Sequence, residues 1–114
     1  MRYAVLRSRD IDQDLSLIFD FLLESYQALG DDSETAFERA AQRVRAIEDS
    51  MALLGATPHQ GTLREDILPG LRSVTKDRAI FYFDLDDDAR VVRVLAVLFG
   101  GQDHQRQMLT RLLK

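Results

Sequence analysis

The chain has 114 residues, enough for one domain with a buried core and too few for two, so a single domain is expected over 1–114. It carries no cysteine, which excludes a disulfide framework, a thiol nucleophile and any cysteine-ligated metal. Its formal charge of −4 argues against coating nucleic acid through bulk electrostatics.

Apolar residues make up 46% and charged residues 30%, the balance of an ordinary globular protein. No run approaches the roughly 18 apolar residues of a membrane span, and charges interrupt the first ten residues at once, so a soluble, cytoplasmic protein without membrane association is expected. The charge is uneven. Residues 1–57 hold six arginines against eleven acids, whereas residues 58–114 hold nine Lys and Arg against eight.

In chain order, "YAVLRS" (3–8) has the Tyr, Val and Leu content of a short strand. Asp10 stands where a helix N-cap is expected, with Gln13 at the reciprocal capping-box position. Leu15, Ile18, Phe19, Leu22, Tyr26 and Leu29 then recur at helical spacing, with Asp12, Asp14, Asp20 and Glu24 mostly off that stripe, and Gly30 ends the helix. Asp32 or Ser33 caps a second helix whose apolar face is Phe37, Ala40, Ala41, Val44, Ile47, Met51 and Leu54. The short "GDDS" connection makes the two helices an antiparallel hairpin, which Gly55 and Pro58 terminate.

Residues 55–69 read as one long irregular connection. Strands follow at "GLRSVT" (70–75), "RAIFYFDL" (78–85) and "VVRVLAVLF" (91–99), the last two joined by a polar turn at 86–90. Those two are apolar on both alternations (Ala79, Phe81, Phe83 and Ile80, Tyr82; Val92, Val94 and Leu95, Val97), as strands covered on both faces are. After "GGQD", Asp103 caps an expected final helix with Met108, Leu109, Leu112 and Leu113 as its apolar side. The order β-α-α-β-β-β-α indicates an α+β domain: an N-terminal strand, a helical hairpin packed on a mainly antiparallel sheet, and a short C-terminal helix.

Signals of catalysis are weak. His59 and His104 have no metal-ligand spacing with another His, Asp or Glu, and there is no nucleophile elbow, Walker loop or dinucleotide-binding glycine pattern. "DLDDDAR" lacks the alternating ligands, central glycine and closing glutamate of a calcium loop. No metal, cofactor or catalytic residue is therefore expected. The basic set Arg64, Arg72, Lys76, Arg78 and Arg93 stands out instead, because guanidinium forks suit phosphate or carboxylate. Taken singly, each is explained by pairing with Glu65, Asp66, Asp77 or Asp84, at about 0–1 kcal/mol per exposed pair. Taken together, they read as a surface that binds a partner or phosphate.

With "LPGLRSV", "RAIFYF", a "DDDA" turn and "VVRVLAVLFGGQD" in succession, the chain resembles the RelE/ParE toxins of type II toxin–antitoxin systems over essentially its whole length. That resemblance implies one fold with two activities. The RelE branch cleaves mRNA on the ribosome without a metal, and the ParE branch inhibits DNA gyrase by protein–protein contact. Arg78 matches a basic position of the nucleases. Gln102 stands where they tend to place Arg, and Met108 where they tend to place Tyr, and a thioether cannot move a proton. These departures and the acidic total favour a non-enzymatic, ParE-like toxin neutralised by a ParD-like antitoxin in a hetero-oligomer. The alternatives are a RelE-type endoribonuclease, with ribosome and mRNA as partners, or a degenerate toxin kept as an antitoxin-binding module. An acidic antitoxin tail would suit Arg72, Lys76 and Arg93.

Overall fold

The computed structural model describes residues 2–100, and the expected final helix, with Asp103, His104 and Met108, lies outside them. The elements are β1 (Ala4–Arg7), α1 (Ile11–Ala28), α2 (Ser33–Ala52), a 3-10 turn (Leu53–Ala56), β2 (Thr62–Leu63), β3 (Arg72–Lys76), β4 (Ala79–Asp86) and β5 (Val91–Phe99). They form an α+β fold with one five-stranded sheet in the order β1-β5-β4-β3-β2. β1 runs parallel to β5, and every other pair is antiparallel. No helix among the described residues is long and apolar enough to cross a membrane.

Parallel neighbours cannot be joined by a tight turn, so the chain leaves β1 through the helical hairpin and returns later as β5. The hairpin covers one face of the sheet. Ile11, Leu15, Ile18 and Leu22 from α1, with Ala40, Ile47 and Met51 from α2, meet Phe81, Phe83, Val92, Val94, Val97 and Phe99 in the main core. A smaller cluster occupies the opposite face, where Ile67 and Leu71 fold over Tyr82, Ala96 and Leu98. β4 and β5 are thus central and covered on both sides, as their apolar content predicts.

Several local expectations hold for the reasons the residues suggest. Asp32 caps α2 by accepting from the Thr35 N–H at 2.8 Å. α1 ends in a Schellman arrangement: the Asp31 N–H reaches the Tyr26 carbonyl, the Gly30 N–H reaches that of Gln27, and Gly30 adopts φ +108°. Others are corrected. Asp10 sits at the N-cap with helical backbone (φ −83°, ψ −11°) and makes no side-chain capping bond, so the expected capping box is not formed. Leu29 is 81% exposed because it is the cap residue beyond the last helical turn. Phe37 is also exposed, and it meets Phe19 edge-on at 5.2 Å while Ala36 takes the buried position. The 55–69 connection is not wholly irregular, since it contains the end of the 3-10 turn and the two-residue β2, which pairs with Arg72 and Ser73. Gly55 allows β1 to approach, because a Cβ there would stand 2.2 Å from the Tyr3 carbonyl oxygen.

β5 contains a bulge that the residue pattern does not announce. Tyr82 pairs with Ala96 but Phe83 pairs with Val94, which leaves Leu95 unopposed. The extra residue resets the alternation. Val97 therefore joins Val92 and Val94 on the helix side instead of sharing a side with Leu95. β1 pairs with β5 only as far as Val94, so two side chains complete the edge beyond it. The Ser8 hydroxyl donates to the Leu95 carbonyl at 3.3 Å, and the Asp14 carboxylate accepts from the Val97 N–H at 3.0 Å. Asp14, expected off the buried stripe, is 2% exposed. Its place in the core follows from this backbone donor, which neither β1 nor water reaches.

Asp14→Ala strands that N–H and should lower unfolding free energy by about 1–3 kcal/mol. Asp14→Asn keeps an acceptor oxygen and should lose less. Urea titrations of both variants, with midpoints falling in that order at unchanged slope, test this role.

Candidate functional site

The five basic residues singled out in the sequence are distributed by strand alternation. Arg72 and Lys76 lie opposite Phe83 and Ala79, so they belong to the helix-covered side of β3, together with Val74 opposite Phe81. Arg93 lies opposite Asp84 on the other side of the sheet, its Nε and Nη2 donating to the two carboxylate oxygens at 2.8 and 3.0 Å. Arg64 follows β2 and grips Asp66 with two bonds at 3.2 and 3.3 Å. Arg72 donates to the His59 carbonyl at 3.0 Å, which straps the 57–60 turn to the sheet. The trio suited to an acidic tail, Arg72, Lys76 and Arg93, therefore does not share one face.

Arg78 is set apart by its backbone. Asp77 and Arg78 are the two central residues of the β3–β4 hairpin, with φ of 53° and 66°. Positive φ at both positions is the type I′ geometry that matches strand twist, and it is uncommon for a bulky residue such as arginine. Contacts from outside the hairpin hold it there. From α2, Arg43 Nη2 donates to the Asp77 carbonyl at 3.0 Å and the Ser50 hydroxyl to the Asp77 carboxylate at 2.7 Å. The Gly100 N–H donates to the Arg78 carbonyl at 3.2 Å. Asp77 is thus occupied by α2, and the Arg78 side chain has no bonded partner among the described residues.

A groove of about 240 Å³ opens beside this turn, walled by Phe21, Tyr26 and Leu29 of the α1 end, Phe99 of β5, and the arginines Arg43 and Arg78. Among the described residues, no His, Asp or Glu lines it.

Comparison with solved structures places this arrangement among known folds. A chain of the chromosomal ParDE toxin–antitoxin system of P. aeruginosa superimposes with a TM-score of 0.63 at 21% identity, over 86% of this chain and 96% of that one. A chain of the RelBE2 toxin–antitoxin complex of Mycobacterium tuberculosis gives 0.53 at 17% identity, over 87% and 99%. An arginine-to-alanine double variant of the E. coli toxin RelE in the free state gives 0.54 at 12% identity, over the whole of both chains. The chain has the RelE/ParE toxin fold. No protein-family model matches the sequence, and no curated protein matches it.

On this RelE/ParE fold, two groups emerge that sequence reading missed. Arg43 is one. It falls at helical spacing within the buried series Ala36, Ala40, Ile47 and Met51, and an arginine on an otherwise apolar stripe was the available signal. Its guanidinium stands 5.8 Å from the Phe99 ring centre, and its Nε is buried without a hydrogen-bond partner among the described residues.

The other is a surface knot around Asp87. The Tyr3 hydroxyl donates to Asp87 Oδ1 at 2.7 Å, and His59 Nε2 lies 2.9 Å from the same oxygen. The Tyr3 and His59 rings meet edge-on at 5.8 Å. This knot ties the N-terminal segment, the 57–60 turn and the β4–β5 turn together. It sits on the exposed surface and gives His59 a structural partner. His104 lies outside the described residues.

Hydrogen bonds from Tyr3 and then His59 hold the Asp87 carboxyl below the usual carboxylate range, and the Arg64 bond does the same for Asp66. A carboxyl depressed in the folded state contributes stability that is fully present above its unfolded pKa and is lost as pH falls through the folded value. The thermal midpoint should therefore hold near neutrality and drop once pH passes below about 4. Asp87→Asn and Asp66→Asn should each flatten that acid limb relative to the unsubstituted chain, as read by calorimetry across the pH series.

Proposed function

We propose that this chain is the toxin of a toxin–antitoxin module that acts by protein–protein contact, with DNA gyrase as its target and a ParD-like antitoxin as its neutralising partner. The carrying observation is the dispersal of its basic residues on a RelE/ParE fold. Arg64, Arg72 and Arg93 are engaged in internal bonds, and alternation sends Arg72 and Arg93 to opposite faces. A phosphodiester transition state needs convergent donors together with groups that take and give protons. Among the described residues, the groove beside Arg78 offers two arginines and no His, Asp or Glu. The superposition on the ParDE chain, at a TM-score of 0.63, supports the same reading.

A second reading, a ribosome-dependent mRNA endoribonuclease, is favoured by one feature: Arg78 projects from a constrained turn beside Arg43, where two cations could share a phosphate. A third, a degenerate toxin retained as a binding module, has the same fold and differs only in cellular outcome.

The readings separate in two assays. Purified protein is expected to inhibit supercoiling by gyrase and to leave ribosome-bound mRNA intact. Site-specific mRNA cuts with untouched gyrase would sink the proposal in favour of the nuclease, in which case Arg78→Ala should abolish toxicity in a folded protein. Expression without an antitoxin is expected to arrest growth, and harmless expression would leave the degenerate form.

A further inference from the structure

We infer that Ser50 of α2 is a positioning residue for toxin activity: with Arg43 it clamps the Asp77–Arg78 turn in a strained backbone shape, so that the Arg78 guanidinium is offered unpaired to an anionic group of the target. This deepens the reading of the chain as a toxin, and rests on it.

Backbone strain is the starting observation. A two-residue hairpin turn with positive φ at both positions is ordinarily Asn-Gly or Asp-Gly, because glycine adopts the second position without a Cβ penalty. Here that position holds Arg78, at φ 66°. The turn is less stable for containing an arginine, and such shapes persist only where the surroundings over-determine them. Three bonds from outside the hairpin do so. Arg43 Nη2 and the Ser50 hydroxyl hold the Asp77 carbonyl and carboxylate at 3.0 and 2.7 Å, and the Gly100 N–H holds the Arg78 carbonyl at 3.2 Å. All three leave the Arg78 guanidinium alone.

The Ser50 bond has two effects at once. It pins the turn to α2, and it occupies the carboxylate next to Arg78 in the chain. Other arginines show what the residue does when it serves the fold. Arg7, Arg39, Arg64 and Arg93 pair with Glu48, Asp31, Asp66 and Asp84, and Arg72 straps the His59 carbonyl. Arg78 is exposed and makes no such bond among the described residues, so strain without a structural use for the side chain points to presentation. Arg90, the other arginine with positive φ (57°), lies in the β4–β5 turn at the opposite end of the strands and supplies a control.

The test uses the full-length chain in thermal melts and in two activity assays, inhibition of gyrase supercoiling and cleavage of ribosome-bound mRNA. Arg78→Gly relieves the strain and removes the guanidinium. It should raise the thermal midpoint by about 2–5 °C and lower activity about tenfold or more. Ser50→Ala should lower activity about fivefold, and Ser50→Thr, which keeps the hydroxyl, should restore it. By NMR, Ser50→Ala should move the Arg78 HN–Hα coupling away from its positive-φ value, and Ser50→Thr should not. In the Arg78→Gly background, Ser50→Ala should cost no further activity, whereas a merely stabilising serine would cost the same in both backgrounds. Arg90→Gly relieves strain at the other turn and should leave activity unchanged. Full activity in Arg78→Gly or Ser50→Ala, or an equal further loss in the double variant, would overturn the assignment. If the unsubstituted chain inhibits gyrase and these variants do so equally well, the clamp is wrong and the toxin reading stands. If the chain cuts mRNA instead and the variants do not, the clamp stands and the gyrase reading falls. A chain whose expression is harmless removes both, because the strain then presents Arg78 to nothing.

Discussion

Parallel pairing of β1 with β5 is the constraint on which the rest of this structure depends. Two parallel strands side by side require a crossover, and the helical hairpin supplies it, so both helices come to lie on one face of the sheet. The main core then forms between the hairpin and β4 and β5. Because β1 is short, β5 runs past it, and the backbone N–H and C=O groups of that overrun have to be answered by side chains. Asp14 and Ser8 answer them, and the bulge at Leu95 turns the distal half of β5 so that Val97 and Phe99 still face the helices. A carboxylate in the core is tolerated here because its hydrogen bond satisfies a backbone group that nothing else reaches.

The same crossover sets the chemistry of the groove. It carries the end of α1 alongside the end of β5, and α2 across the β3–β4 hairpin. Arg43 is thereby drawn from the helix toward the Asp77 carbonyl and brought beside Arg78, which sits thirty-five positions later in the chain. A turn with positive φ at Asp and Arg is a costly way to close a hairpin, of the order of 1 kcal/mol or more. The bonds from Arg43, Ser50 and Gly100 offset that cost and fix where the Arg78 side chain starts. The cationic character of this end is therefore a product of packing between distant segments, whereas Arg64, Arg72 and Arg93 are used locally as struts.

Much of the fold was legible because its elements are written in local patterns. The helical stripes, the Gly30 terminator, the Asp32 cap and the doubly apolar strands β4 and β5 each depend on residues within a few positions of one another. Asp14 looked like a solvent residue because the partner that decides its place is β5, more than eighty residues on, and Asp10 stands at the N-cap but with a helical backbone that no side-chain capping bond accompanies. Leu29 fits the helical period but is the cap beyond the last turn of α1, and Phe37 meets Phe19 edge-on while its neighbour Ala36 holds the buried position. The basic stretch read as one cluster because sequence proximity was taken for spatial proximity, and strand alternation undoes that.

The sequence by itself determined the element order, the α+β class, the two apolar faces of the central strands and the resemblance to RelE/ParE toxins, because periodicity and turn chemistry act over short range. Only the tertiary structure decided which cations share a surface. Strand register and bulges assign side chains to faces, and the helical crossover juxtaposes Arg43 with Arg78. Both depend on pairings between segments far apart in the chain, which no local pattern encodes.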